Sequence, residues 1–114
     1  IFDRDGNYLT EWQNLCVPWG LWLTPKGELW VCGSSPAAWK EKQYALATPP
    51  TDQLLMRFDL DGKLLQLWSV PVGNDSGQLN WAHGIASDVA GNLYCGDYRG
   101  MRVQKFVRVA AGDK

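Results

Sequence analysis

Short apolar runs separated by glycine-centred turns fill this chain from end to end. Gly20-Leu-Trp-Leu is closed by Pro25-Lys-Gly27 and followed by Leu29-Trp-Val-Cys. Gly84-Ile-Ala-Ser is closed by Val89-Ala-Gly91-Asn92 and followed by Leu93-Tyr-Cys. Apolar segments this short, bounded by turn residues, predict strands, and two of them around one glycine turn predict a hairpin. Leu54-Leu-Met-Arg-Phe58, the turn Asp59-Leu-Asp-Gly62 and Lys63-Leu-Leu-Gln-Leu-Trp68 predict another, with Gly62 supplying the positive φ that the turn requires. Two hairpins in succession make a four-stranded meander.

The pattern occurs more than once. Pro18 to Val31 returns as Ala82 to Cys95, and the opening stretch Ile1 to Trp12 matches Arg57 to Trp68. Units that bury their faces only against neighbours need partners on both sides, so the repeat predicts a portion of a longer protein. Meanders of about 40 to 50 residues repeated around an axis are the mark of a β-propeller. The expected fold is therefore all-β, a β-propeller fragment of about two and a half four-stranded blades. Residues 1–13 would end one blade, 14–70 would form a full blade with an insertion at 34–53, and 71–114 would form a partial blade. With both outer faces of such a stack open to water, the isolated chain is expected to aggregate.

An up-and-down meander sorts the motifs onto two ends. The turns at Asp3 to Gly6, Pro25 to Gly27, Asp59 to Gly62 and Ala90 to Asn92 share one end; His83, segment 34–53 and Tyr98 to Met101 share the other. The Asp-x-Asp-Gly turns invite a calcium reading. An EF-hand register, however, puts Ile1 or Arg57 at its first position and Trp12 or Trp68 at its last, where carboxylates are needed. They read as turns. Segment 34–53 is too long for a hairpin turn, and Ala37 to Ala47 could form a helical turn or two after Pro36. A functional lid and a decorative insertion both fit it.

Composition narrows the function. The 114 residues are 46% hydrophobic with a net charge of −1, enough for one modest core and without the basic footprint of a nucleic-acid binder. Arg99, Arg102, Lys105 and Arg108 read as a solvated strand face, and no apolar run is long enough to cross a membrane. The three cysteines form no Cys-x-x-Cys pair, and Cys32 and Cys95 read as buried hydrophobes. Of the seven tryptophans, Trp12, Trp22, Trp30 and Trp68 would fill space between sheets. Trp19, Trp39 and Trp81 would join Tyr44 and Arg99 on a binding face at the end carrying the long segment.

Gly91-Asn-Leu-Tyr-Cys-Gly-Asp97 followed by Arg102-Val-Gln-Lys-Phe106 resembles the NHL-repeat signature, a Gly-Asn turn, an apolar strand ending in Asp and an Arg-apolar-Gln-x-Phe strand. In the preceding copy Gly33 and Leu54 stand where Asp and Arg are usual. The resemblance implies a propeller of about six blades. Within it, the one histidine, His83, opens an innermost strand where the matched residue of the preceding unit is Trp19. That arrangement resembles the zinc-dependent peptidyl-α-hydroxyglycine α-amidating lyase family. The likeness implies that His83 is a zinc ligand whose fellow ligands lie outside this chain, and that Tyr98 is the base in cleaving a carbinolamide C–N bond. It also favours a secreted or periplasmic location. Two alternatives stand beside it. One is a non-catalytic NHL propeller binding a protein, peptide or glycan; the other is a gluconolactonase-type lactone hydrolase, which wants carboxylate and asparagine ligands lining the channel, where the innermost strand offers only Ser87 and Asp88 toward its far end.

Overall fold

The computed structural model describes residues 1–13, 15–35 and 52–109, and there the chain is all-β. The strands are β1 (Val17–Leu23), β2 (Leu29–Ser34), β3 (Asp52–Phe58), β4 (Leu64–Pro71), β5 (Ala82–Ser87), β6 (Leu93–Asp97) and β7 (Arg102–Phe106). β1 to β4 form one antiparallel meander and β5 to β7 a second, each strand pairing with the next in sequence. β5 lies against β1 and β2, so the two sheets pack through their leading strands.

The hairpin turns explain themselves locally. The glycine amides of Gly6, Gly27, Gly62 and Gly91 donate to the carbonyls of Asp3, Thr24, Asp59 and Asp88 at 3.0 to 3.2 Å. The side chain of that first residue then gathers the turn. Asp59 Oδ1 accepts from the amides of Asp61 and Lys63, Asp88 Oδ1 from those of Ala90 and Asn92, and Asp3 Oδ1 from those of Asp5 and Asn7. Thr24 does the same through Oγ1, accepting from the Glu28 amide. The Asn7 and Asn92 amides hold the Asp3 and Asp88 carboxyls below the usual range. These carboxylates are occupied in closing turns, as the failed calcium register implied.

The core sits between the sheets. Trp30, Cys32 and Leu55 of the first sheet meet Leu79, Ala82, Ile85, Leu93 and Cys95, with Trp22, Trp68 and Phe106 packed around them. A smaller cluster of Val31, Met56 and Phe58 on the other face of the first sheet is covered by Trp12, Leu15 and Cys16. β2 and β3 are thus buried on both faces, which is why Leu29 to Cys32 and Leu54 to Met56 read as continuous apolar runs. Cys32 and Cys95 are fully buried; Trp22, Trp30 and Trp68 lie between the sheets as expected. Trp12 rests on Phe58 with ring centroids 5.6 Å apart, and Trp68 stands on Phe106 at 4.7 Å. The opening stretch therefore meets the first sheet as β4 meets the second.

Two expectations are corrected. Ser34 belongs to β2, and Asp52 and Gln53 to β3, with Ser34 opposite Gln53 and Asp52 opposite Pro71. The ladder continues past the apolar residues because each further pair satisfies backbone groups, so both ends of the expected 34–53 insertion are strand. Nor do Arg99, Arg102, Lys105 and Arg108 form one solvated face. Arg102 is drawn inward by the buried Asp97, while Lys105 sits over the Tyr94 ring at 5.4 Å and Arg99 over Trp81 at 4.8 Å.

Candidate functional site

The register of each leading strand shifts at the same point. Between β1 and β2 it breaks from Pro18 to Gly20, at Trp19; between β5 and β6 it breaks from Ala82 to Gly84, at His83. A bulge of this kind re-aims a side chain at the end of a sheet. Here two bulges bring the Trp19 and His83 rings together, stacked 5.6 Å apart with planes 23° from parallel. The strands come close enough that a Cβ on Gly20 would lie 2.7 Å from the His83 carbonyl oxygen, so only glycine fits there.

Asp97, the last residue of β6, fixes the remaining members. Its side chain is buried and accepts from the amides of Asn80, Trp81 and Gly100 at 2.9 to 3.0 Å and from Arg102 Nε at 3.2 Å. Burial opposes its charge, but those amides and the guanidinium outweigh it and hold the carboxyl below the usual range. Arg102 reaches on to the carbonyls of Gly73, Asn74 and Gln78. Through these bonds one carboxylate ties the segment leading into β5 to the turn between β6 and β7. The Tyr98 amide adds a bond of 2.9 Å to the Trp81 carbonyl.

Trp81 therefore stands beside Tyr98, edge to face at 5.7 Å, and also meets Trp19 edge to face at 5.0 Å. Tyr98 closes the group against His83 at 5.5 Å. Four rings share contacts, with the Arg99 guanidinium over Trp81. His83 and Arg99 are exposed, and Tyr98 is 66% exposed, so the cluster faces water. The Trp81 indole N–H is sealed off and has no hydrogen-bond partner among the described residues. The sequence expectations Trp19, Trp81, His83, Tyr98 and Arg99 thus occupy one site. Trp39 and Tyr44 lie outside the described residues.

Sequence reading missed the buried supports. Gln53 Oε1 accepts from the Ala82 amide at 2.7 Å, and its Nε2 donates to Ser34 Oγ, which also accepts from Trp19 Nε1. A buried glutamine of the first sheet thereby caps the leading strand of the second. A lone glutamine beside an apolar run was the available signal, but nothing local marks its partner 29 residues on.

The described residues hold no group of three metal-ligating side chains. His83 contributes one imidazole, the Asp97 carboxylate is filled by backbone donors, and hydrogen bonding with Cys32 together with burial pushes the Cys95 thiol up. One imidazole falls short of the three or four ligands zinc requires. The residues weighed for lactone chemistry are engaged elsewhere: Ser87 Oγ accepts from Trp22 Nε1 at 3.0 Å, and Asp88 holds its turn and the Tyr94 hydroxyl. Comparison with family models, with curated proteins and with solved structures gives no match to this chain.

Proposed function

We propose that this chain contributes successive sheets to an NHL-type β-propeller, and that the end carrying Trp19, Trp81, His83, Tyr98 and Arg99 holds a protein or peptide partner. The propeller reading is supported by meanders packed through their leading strands and by the recurrence of Trp12 on Phe58 as Trp68 on Phe106. The contact of four aromatic rings at an exposed end carries the binding reading. Rigid aromatics and an arginine are the residues that most often dominate binding energy.

The test is capture from an immobilised peptide library by the protein and by Tyr98→Ala and Arg99→Ala. Both side chains are exposed, so melting should stay within a few degrees while retained peptides fall about tenfold. Capture that survives both changes would sink the reading.

One observation favours a second reading, the zinc-dependent lyase. Tyr98, expected as its base, lies against His83, expected as its ligand. That reading needs metal ligands beyond the described residues. Metal analysis of the purified protein, with turnover of a peptidyl-α-hydroxyglycine, separates the two: peptide capture by protein without zinc leaves only the binding module.

A further inference from the structure

At the opposite end, where the hairpin turns lie, a cleft of about 630 Å³ opens between the two sheets. That is within the ~300 to 1,000 Å³ usual for small-molecule sites. Its floor comes from Glu28 of the β1–β2 turn, Trp30, Arg57, Gln66 and Trp68 of the first sheet, and Phe106 of β7.

The chemistry of that floor is specific. Arg57 Nη1 and Glu28 Oε2 lie 3.2 Å apart, and the guanidinium carbon sits 5.8 Å from the Trp30 ring centre. The pair presents donors and acceptors side by side with no net charge. The two side chains are each 31% exposed, so the pair is within reach of a ligand in the cleft. Gln66, exposed on β4, adds an amide that both donates and accepts. Trp68, edge to face with Phe106, continues the aromatic wall. Lys26, Arg57 and Arg108 line the cleft together with Glu28 and Asp88, so its charge is mixed and the Glu28–Arg57 pair is its neutral part.

We propose that this cleft is a binding site for a neutral pyranose ring, whose adjacent hydroxyls meet Glu28, Arg57 and Gln66 while its C–H face rests on the partly exposed Trp68 indole. A hydroxyl there accepts from the Arg57 guanidinium and donates a hydrogen bond to the Glu28 carboxylate. Sugars combine an apolar face with a rim of paired donors and acceptors, which is the complement of these residues. The site is independent of the aromatic cluster around His83.

The experiment titrates the protein with the methyl pyranosides of glucose, galactose, mannose and fucose, and separately with inorganic phosphate, following tryptophan fluorescence. The expected result is saturable binding of at least one pyranoside with Kd near 1 mM. Affinity should fall about tenfold in Glu28→Gln and in Gln66→Ala and stay unchanged in His83→Ala. Gln66 is exposed, so that variant keeps the test decisive if Glu28→Gln melts early. Three results overturn the proposal: no pyranoside saturates, phosphate binds and pyranosides do not, or His83→Ala abolishes sugar binding while Gln66→Ala leaves it intact.

Discussion

Asp97 and Arg102 face each other across β6 and β7, carboxylate to guanidinium at 3.2 Å, with the Asp97 side chain fully buried. The matched positions of the first sheet, Gly33 and Leu54, are also directly opposed and carry no charge. At Gly33 a side chain has no room, since a Cβ would lie 2.1 Å from the Val17 carbonyl oxygen and 2.8 Å from Cys16 Sγ. The second sheet uses this pair to build a loop; the first sheet closes the same space with backbone and a thiol.

Arg102→Leu leaves the Asp97 carboxylate buried without its cation and frees the carbonyls of Gly73, Asn74 and Gln78. The expected cost is about 3 kcal/mol. Denaturant unfolding would show it as a lower midpoint at unchanged slope, with Arg102→Lys between the variant and the parent.

The same carboxylate sets a pH dependence. Its folded pKa lies below the unfolded value of about 3.9, so its contribution is complete above that pH and is lost as the pH falls through the folded pKa. Asp3 and Asp88 are shifted the same way and act in the same window. Melting temperature should hold from neutral pH to about 5 and then decline, less steeply in Asp97→Asn.

Gln53→Leu keeps the volume and removes the acceptor for the Ala82 amide. An orphaned buried N–H costs about 1–3 kcal/mol. Because that bond joins the two sheets, amide exchange at Ala82 and His83 should accelerate more than at Leu29 or Val31.

Gly62 adopts φ +87°, and a Cβ there would lie 2.9 Å from Trp12 Nε1, whereas Gly6 at φ +85° has open space around it. Gly6→Ala should cost about 1–2 kcal/mol from the backbone alone. Gly62→Ala should cost more, with a change in Trp12 fluorescence that Gly6→Ala does not produce.

Much of this was legible along the chain, because its causes are local. Turns close over four or five residues, so Asp59 to Gly62 and Asp88 to Asn92 declare themselves, and the strands between them follow from short apolar runs. The same locality made Ser34 and Gln53 look like loop, since the two partners are 19 residues apart in the chain. Trp19 and His83 could be matched by repeat, but that matching could not show them stacked. Their contact depends on two bulges and on strands that approach only where Gly20 lacks a side chain.

The sequence by itself determined an all-β chain of repeated meanders and the identity of the turns, and it placed Trp19, Trp81, His83, Tyr98 and Arg99 toward one end together with Trp39 and Tyr44, which lie outside the described residues. Only the tertiary structure decided how they are held: Asp97 gathering Trp81 and the Tyr98 turn, Gln53 capping Ala82, and a cleft between sheets lined by Glu28 and Arg57. Those relations join residues far apart in the chain whose partners are chosen by packing and by the need to satisfy buried polar groups, which no local pattern encodes.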